Sequence, residues 1–120
     1  MDAAIRFITH KGKQILLVDL SYRNAAQIKE IAKLVPAYLS NLPRNSVLLL
    51  ADFTGIEFDR DAFTRLKEAA VFDRPFLKRS AWVGTDSLPK VFYENLKVFS
   101  QRDLPTFKTR EEAMEWLVEE

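Results

Sequence analysis

The sequence predicts an α/β fold: a mostly parallel five-stranded sheet with an N-terminal antiparallel hairpin strand, packed with four helices. Three observations predict it. Apolar runs that read as strands alternate with stretches of helical periodicity, which implies a largely parallel sheet covered by helices. The first two runs are separated only by the turn His10-Lys11-Gly12-Lys13, where Gly12 can take a positive φ, so that pair forms a hairpin. Residues that cap helix N-termini stand at the junctions where helices should begin.

Each element has its own signal. Residues 4–9 (AIRFIT) alternate moderately and read as a strand. Residues 14–20 (QILLVDL) are nearly continuously apolar and read as a strand buried on both faces. Asn24 with Gln27 forms a capping box, followed by Ile28, Ile31, Ala32, Val35 and Leu39 at helical spacing. Pro36 falls inside that pattern, where it is expected to kink the helix or end its regular part near Val35. Residues 46–52 (SVLLLAD) form the third strand. Asp59 caps a helix with the apolar stripe Phe63, Leu66, Ala69 and Ala70, which Asp73-Arg74-Pro75 stops. Residues 77–83 (LKRSAWV) are a fourth strand. Ser87 caps a helix carrying Leu88, Val91, Phe92, Leu96 and Phe99 on one face, with Pro89 in its first turn. A short strand near 105–108 precedes a Thr109/Glu112 capping box and a closing helix with Ala113, Trp116 and Leu117 inward.

Composition narrows the function classes. The chain has 120 residues, 48% of them hydrophobic, so one domain over 1–120 with a substantial core is expected. Net charge is +1, which argues against a nucleic-acid footprint. Cysteine is absent, which excludes disulfides, thiolate metal sites and thiol nucleophiles. His10 is the single histidine, so neither a zinc site nor a Ser-His-Asp arrangement is expected. His10 reads as an exposed turn residue, and Trp82 and Trp116 read as core. No cofactor is expected. No N-terminal apolar run follows a basic start as in a signal peptide, and the longest apolar runs are far short of a membrane span, which points to a cytoplasmic protein.

Ligands of open α/β sheets sit beyond the carboxyl ends of the strands. Three such ends carry small polar residues here: Asp19-Leu20-Ser21, Asp52-Phe53-Thr54-Gly55 and Gly84-Thr85-Asp86-Ser87. The plainer reading is that Asp, Ser and Thr at such junctions only cap helices and shape turns. Asp52 stands between these readings, because Asp59 already serves as the cap. Asp19, Asp52, Thr85 and Lys108 also imitate a receiver-type phosphoacceptor site, but Leu20 follows Asp19 where a second magnesium-binding acid is needed. Arg74, Lys78 and Arg79 read as a solvated loop and strand edge.

The stretch Asp52-Phe53-Thr54-Gly55-Ile56-Glu57-Phe58-Asp59-Arg60-Asp61 resembles the STAS domain of anti-sigma-factor antagonists. There, a strand ends in Asp-x-Ser-Gly, and a Phe and an Asp-Ser-Ser-Gly helix start follow. The whole chain is similar to the bacterial SpoIIAA-like family through KGKQILLVDLS, SAWVGTDSLPKVFYENLKVFS and TFKTREEAMEWL. This resemblance implies a STAS or CRAL-TRIO-type fold and, for most members, no established activity. It also implies a serine phosphoswitch that does not transfer. The corresponding stretch is Asp59-Arg60-Asp61-Ala62, with Asp61 where a serine would stand. A carboxylate there either mimics a permanent negative charge or only supports the first helical turn.

Two functions are expected from this. The first is a non-enzymatic interaction or regulatory module, with a protein partner or a second copy docking on a rim of Asp52, Phe53, Thr54, Gly55, Phe58, Asp59, Asp61, Thr85 and Ser87 and on the face of the helix that begins near Asp59. Its test is whether Phe53, Ile56 and Phe58 are exposed together, since such a patch would mark a contact surface. The alternative is a small-molecule or lipid-binding protein, suggested by nine Phe, three Tyr and two Trp, with an apolar pocket between helices and sheet. An enzyme is the weakest expectation, since nothing pairs Asp19, Asp52 or Asp86 with a perturbing group.

Overall fold

The computed structural model describes residues 4–57, 59–88, 90–91, 94 and 105–119. Five strands form one sheet in the sequential order β1 (Ile5–His10), β2 (Lys13–Asp19), β3 (Val47–Asp52), β4 (Leu77–Val83), β5 (Thr106–Phe107). β1 and β2 pair antiparallel, from Ile5 opposite Val18 to His10 opposite Lys13. Lys11 (φ 51°) and Gly12 (φ 79°) both take positive φ, so the turn is of the type whose twist matches a hairpin. The remaining neighbours pair parallel.

Three α-helices are described: α1 (Ala25–Leu39), α2 (Arg60–Asp73) and α3 (Arg110–Leu117). Four were expected. The helix expected from Leu88 to Phe99 falls largely outside the described residues. Leu88 itself is extended (φ −96°, ψ 138°) and closes a 3-10 turn, Thr85–Ser87, so Ser87 does not cap a helix that starts at Leu88.

Sheet order decides where the helices go. Right-handed crossovers between sequential parallel strands place their helices on one face. α1 and α2 accordingly share a core with Leu16, Val18, Leu49 and Ala51. The opposite face, with Ile15, Leu17, Leu48 and Leu50, packs against Ala113 and Leu117 of α3. This explains the unbroken apolar run of β2: alternate residues feed two different cores.

α1 begins with the expected capping box, in which the Asn24 side chain accepts from the Gln27 N–H and the Gln27 side chain from the Asn24 N–H, both at 2.9 Å. Its buried stripe is Ile28, Ile31, Ala32, Val35 and Leu39. The helix continues through Pro36, so its regular part does not end near Val35. Leu39, one turn beyond, is fully buried, and that anchorage holds the last turn although Pro36 has no N–H to give the Ala32 carbonyl. Replacing Pro36 by Ala restores that hydrogen bond. Urea denaturation should show Pro36→Ala more stable than the parent by about 1–3 kcal/mol.

Candidate functional site

Asp19 and Asp52 end β2 and β3 and are direct partners in the parallel register. Two carboxylates side by side repel, so this rim needs a cation. Arg110, the first residue of α3, supplies it. Its Nε donates to Asp52 Oδ2 at 2.7 Å, and its Nη2 lies 3.1 Å from Asp19 Oδ1. The second oxygen of Asp52 accepts from the Thr54 N–H at 2.9 Å and the Thr54 hydroxyl at 2.6 Å. Asp19 Oδ1 accepts likewise from the Ser21 N–H at 3.1 Å and the Ser21 hydroxyl at 2.5 Å. Each carboxylate thus closes its own turn and shares one guanidinium. Arg23 Nε adds a bond to the Asp19 carbonyl at 2.8 Å.

The electrostatics follow from this geometry. Partial burial would raise the Asp19 carboxyl, but the Ser21 hydrogen bonds and the Arg110 charge outweigh it and hold the group below its ordinary range. Burial also works against the Arg110 charge. The hydrogen bond to Asp52 and the two carboxylates overcome it and keep the guanidinium more firmly protonated than usual. Chemically, the arrangement is a closed ion triad. The receiver-like reading loses support, because the Arg110 guanidinium already bridges the two acids on which such a site would rely. Among the described residues, no group of three or more His, Cys, Asp or Glu is placed to hold a metal.

The rest of the predicted rim is only partly assembled. Gly84 takes φ +74°, and a Cβ there would lie 2.5 Å from the Thr54 amide nitrogen, so the β4 end packs directly on the Asp52 turn. Phe53 and Ile56 are buried, with the Phe53 ring 4.7 Å from that of Trp82. The exposed apolar patch expected of Phe53, Ile56 and Phe58 is therefore absent as such: two of its members belong to the core, and Phe58 lies outside the described residues. Asp59 caps α2 through the Ala62 N–H at 2.9 Å. Asp61 is exposed on the first turn, with Lys29 Nζ at 3.5 Å. Thr85 opens the 3-10 turn after β4, and the side chain of Ser87 lies outside the described residues.

Two other expectations change. His10 is not simply exposed: its Nε2 and the Lys11 ammonium both contact the Glu115 carboxylate of α3. The Lys11 hydrogen bond, then that of His10, hold Glu115 below its ordinary value. Arg79 is not merely solvated either. Its guanidinium lies 5.0 Å from the Trp116 ring centre and donates to the Trp116 carbonyl at 2.7 Å. Among the described residues, β5 pairs with β4 at Trp82 and Val83, and Arg79 ties the earlier part of β4 to α3.

Two residues escaped the sequence reading. Arg110 had a signal: a cation on the first turn of a helix opposes the helix dipole and needs a compensating anion. Asp73 is the other. It ends α2, where the dipole disfavours an acid, and it is 6% exposed with Oδ1 lacking a hydrogen bond among the described residues. Burial pushes its carboxyl up to about 7. Asp73 lines a cavity of about 80 Å³ between α1, α2 and the sheet. This lies where the expected apolar pocket should be, but it is smaller than the ~300–1,000 Å³ typical of a drug-sized ligand site.

Two predictions follow from these charges. Arg110→Met leaves two partly buried carboxylates unpaired and should cost about 2–3 kcal/mol at pH 7 in chemical denaturation, with Arg110→Lys recovering only part. The depressed Asp19 value means its contribution is present above about pH 4 and lost as pH falls through the folded value, so the variant should lose less on acidification. Asp73 has the opposite sign. Its folded value lies above its unfolded one, so stability is greatest below the unfolded value of 3.8 and declines as pH rises to about 7. Asp73→Asn should remove most of a destabilisation of about 2–3 kcal/mol between pH 5 and pH 8, read from denaturation midpoints at the two pH values.

No protein-family model and no curated protein matches the sequence. Among solved structures, the chain is similar to an uncharacterized protein of the DUF3478 family with a SpoIIAA-like fold from Shewanella loihica PV-4. The two share a TM-score of 0.74 at 16% identity, over 95% of this chain and 92% of the other. With the sequential sheet, the N-terminal hairpin and the helices on both faces, this likeness gives the chain a SpoIIAA-like fold.

Proposed function

We propose that the protein is a non-enzymatic, STAS-like interaction module that docks a protein partner on the outer face of α2 and its groove with α1. What supports the non-enzymatic part is the closed triad. Asp19 and Asp52, the strand-end acids best placed for chemistry, are already engaged by Ser21, Thr54 and Arg110. The observation that carries the docking part is the groove itself. It encloses about 580 Å³ and is walled by Lys29, Lys33, Pro36, Arg65, Glu68 and Phe72. Phe72 is 43% exposed, an apolar anchor among charges of both signs, the composition of an interface with a polar rim. Asp61 continues this surface at the N-terminal end of α2 and takes the place of the absent serine. Lipid binding is less well supported, because the internal cavity is too small for an acyl chain.

Native mass spectrometry of the protein from its own host tests the reading. The expected result is a complex with a protein partner or a second copy that Phe72→Glu abolishes while circular dichroism stays unchanged. A bound species of a few hundred daltons released on denaturation, with no protein complex, would instead favour the ligand-binding alternative.

A further inference from the structure

We propose that the cavity between α1, α2 and the sheet binds a small neutral molecule with an apolar body and a single hydroxyl group, held by Asp73 and Ser80. This is separate from the docking surface: it lies on the inner side of the same two helices. Buried polar side chains in folded proteins nearly always have partners, and one without needs an explanation. Asp73 is such a case. It is 94% removed from solvent, one oxygen has no hydrogen bond among the described residues, and it lines an otherwise apolar space. Ser80, buried to a similar degree, lines the same space from β4. Most of the remaining wall is aliphatic or aromatic, including Val18, Val35, Leu49 and Trp82.

The chemistry of the wall selects the head group. A neutral carboxyl and a serine hydroxyl each donate and accept, and so does an alcohol. Charged heads fit less well. Either sign must be desolvated to enter an apolar chamber. Size selects the body. A volume of about 80 Å³, against the ~10–15 Å³ that one water-sized centre needs, suits about five non-hydrogen atoms.

The test is a methyl-detected NMR titration of the full chain with 1-butanol, beside butylammonium and butyrate. Saturable shifts confined to Val18, Val35, Leu49 and their neighbours are expected with the alcohol, with a millimolar midpoint. The midpoint should weaken at least tenfold in Asp73→Leu. Ser80→Ala should also weaken it, and gives an independent reading if Asp73→Leu does not fold. Shifts that stay linear, a midpoint unchanged in the folded variants, or equal binding of either charged analogue would overturn the proposal, the space then holding water or nothing specific.

Discussion

The bridge from Arg110 to Asp19 and Asp52 is the constraint on which the sheet's carboxyl edge depends. Parallel register places the two acids side by side at the ends of β2 and β3. Without a cation, that register would be penalised by repulsion at the point where the chain leaves the sheet. The guanidinium relieves it and simultaneously fixes the start of α3 against the strands. One side chain therefore links three elements that are distant in sequence, Asp52 and Arg110 being 58 positions apart. A lysine could offer the charge but not the fork that reaches both acids.

The same acids also act locally. Each accepts from an N–H and a hydroxyl two residues onward, the turn geometry that Asp favours at the end of a strand. Punctuation and ion pairing are thus carried by the same two side chains. Asp52 is neither a free working carboxylate nor only a turn residue. It is the anchor between a turn and a helix, and its nearly complete burial is tolerable because every direction of approach brings a donor.

Legibility of the fold in the sequence tracked the range of the interaction. Caps depend on residues three positions apart, and Asn24, Asp59 and Thr109 were all readable as such. The α1 stripe was readable because one helix face obeys one period. What resisted reading was set by distant partners. At Pro36 local grounds offer a kink or an end near Val35, and the helix runs on to the buried Leu39. Phe53 and Ile56 looked like surface in a turn, but the close approach of β4 at Gly84 folds that turn into the core. The partner of Asp52 lies beyond α2, β4 and β5, visible only as a misplaced charge at a helix start. Asp73 looked like a stop signal, and nothing local shows that α2 would carry it inside.

The division of labour between the sheet's two faces has a consequence for how the chain reaches its folded state on the ribosome. Among the described elements, α1 and α2 cover one face as their flanking strands are made, whereas the other face is covered only by α3. While residues 20–109 are being synthesised, no fully described helix is available to pack on Ile15 and Leu17, later joined by Leu48 and Leu50. At ~5–20 residues per second, that interval lasts several seconds. A nascent chain in that window presents an aliphatic strip to solvent or to chaperones. The residues that close it are the same eight whose first member carries the Arg110 guanidinium. Masking of the strip and neutralisation of the rim therefore arrive together, as one late event in vectorial folding.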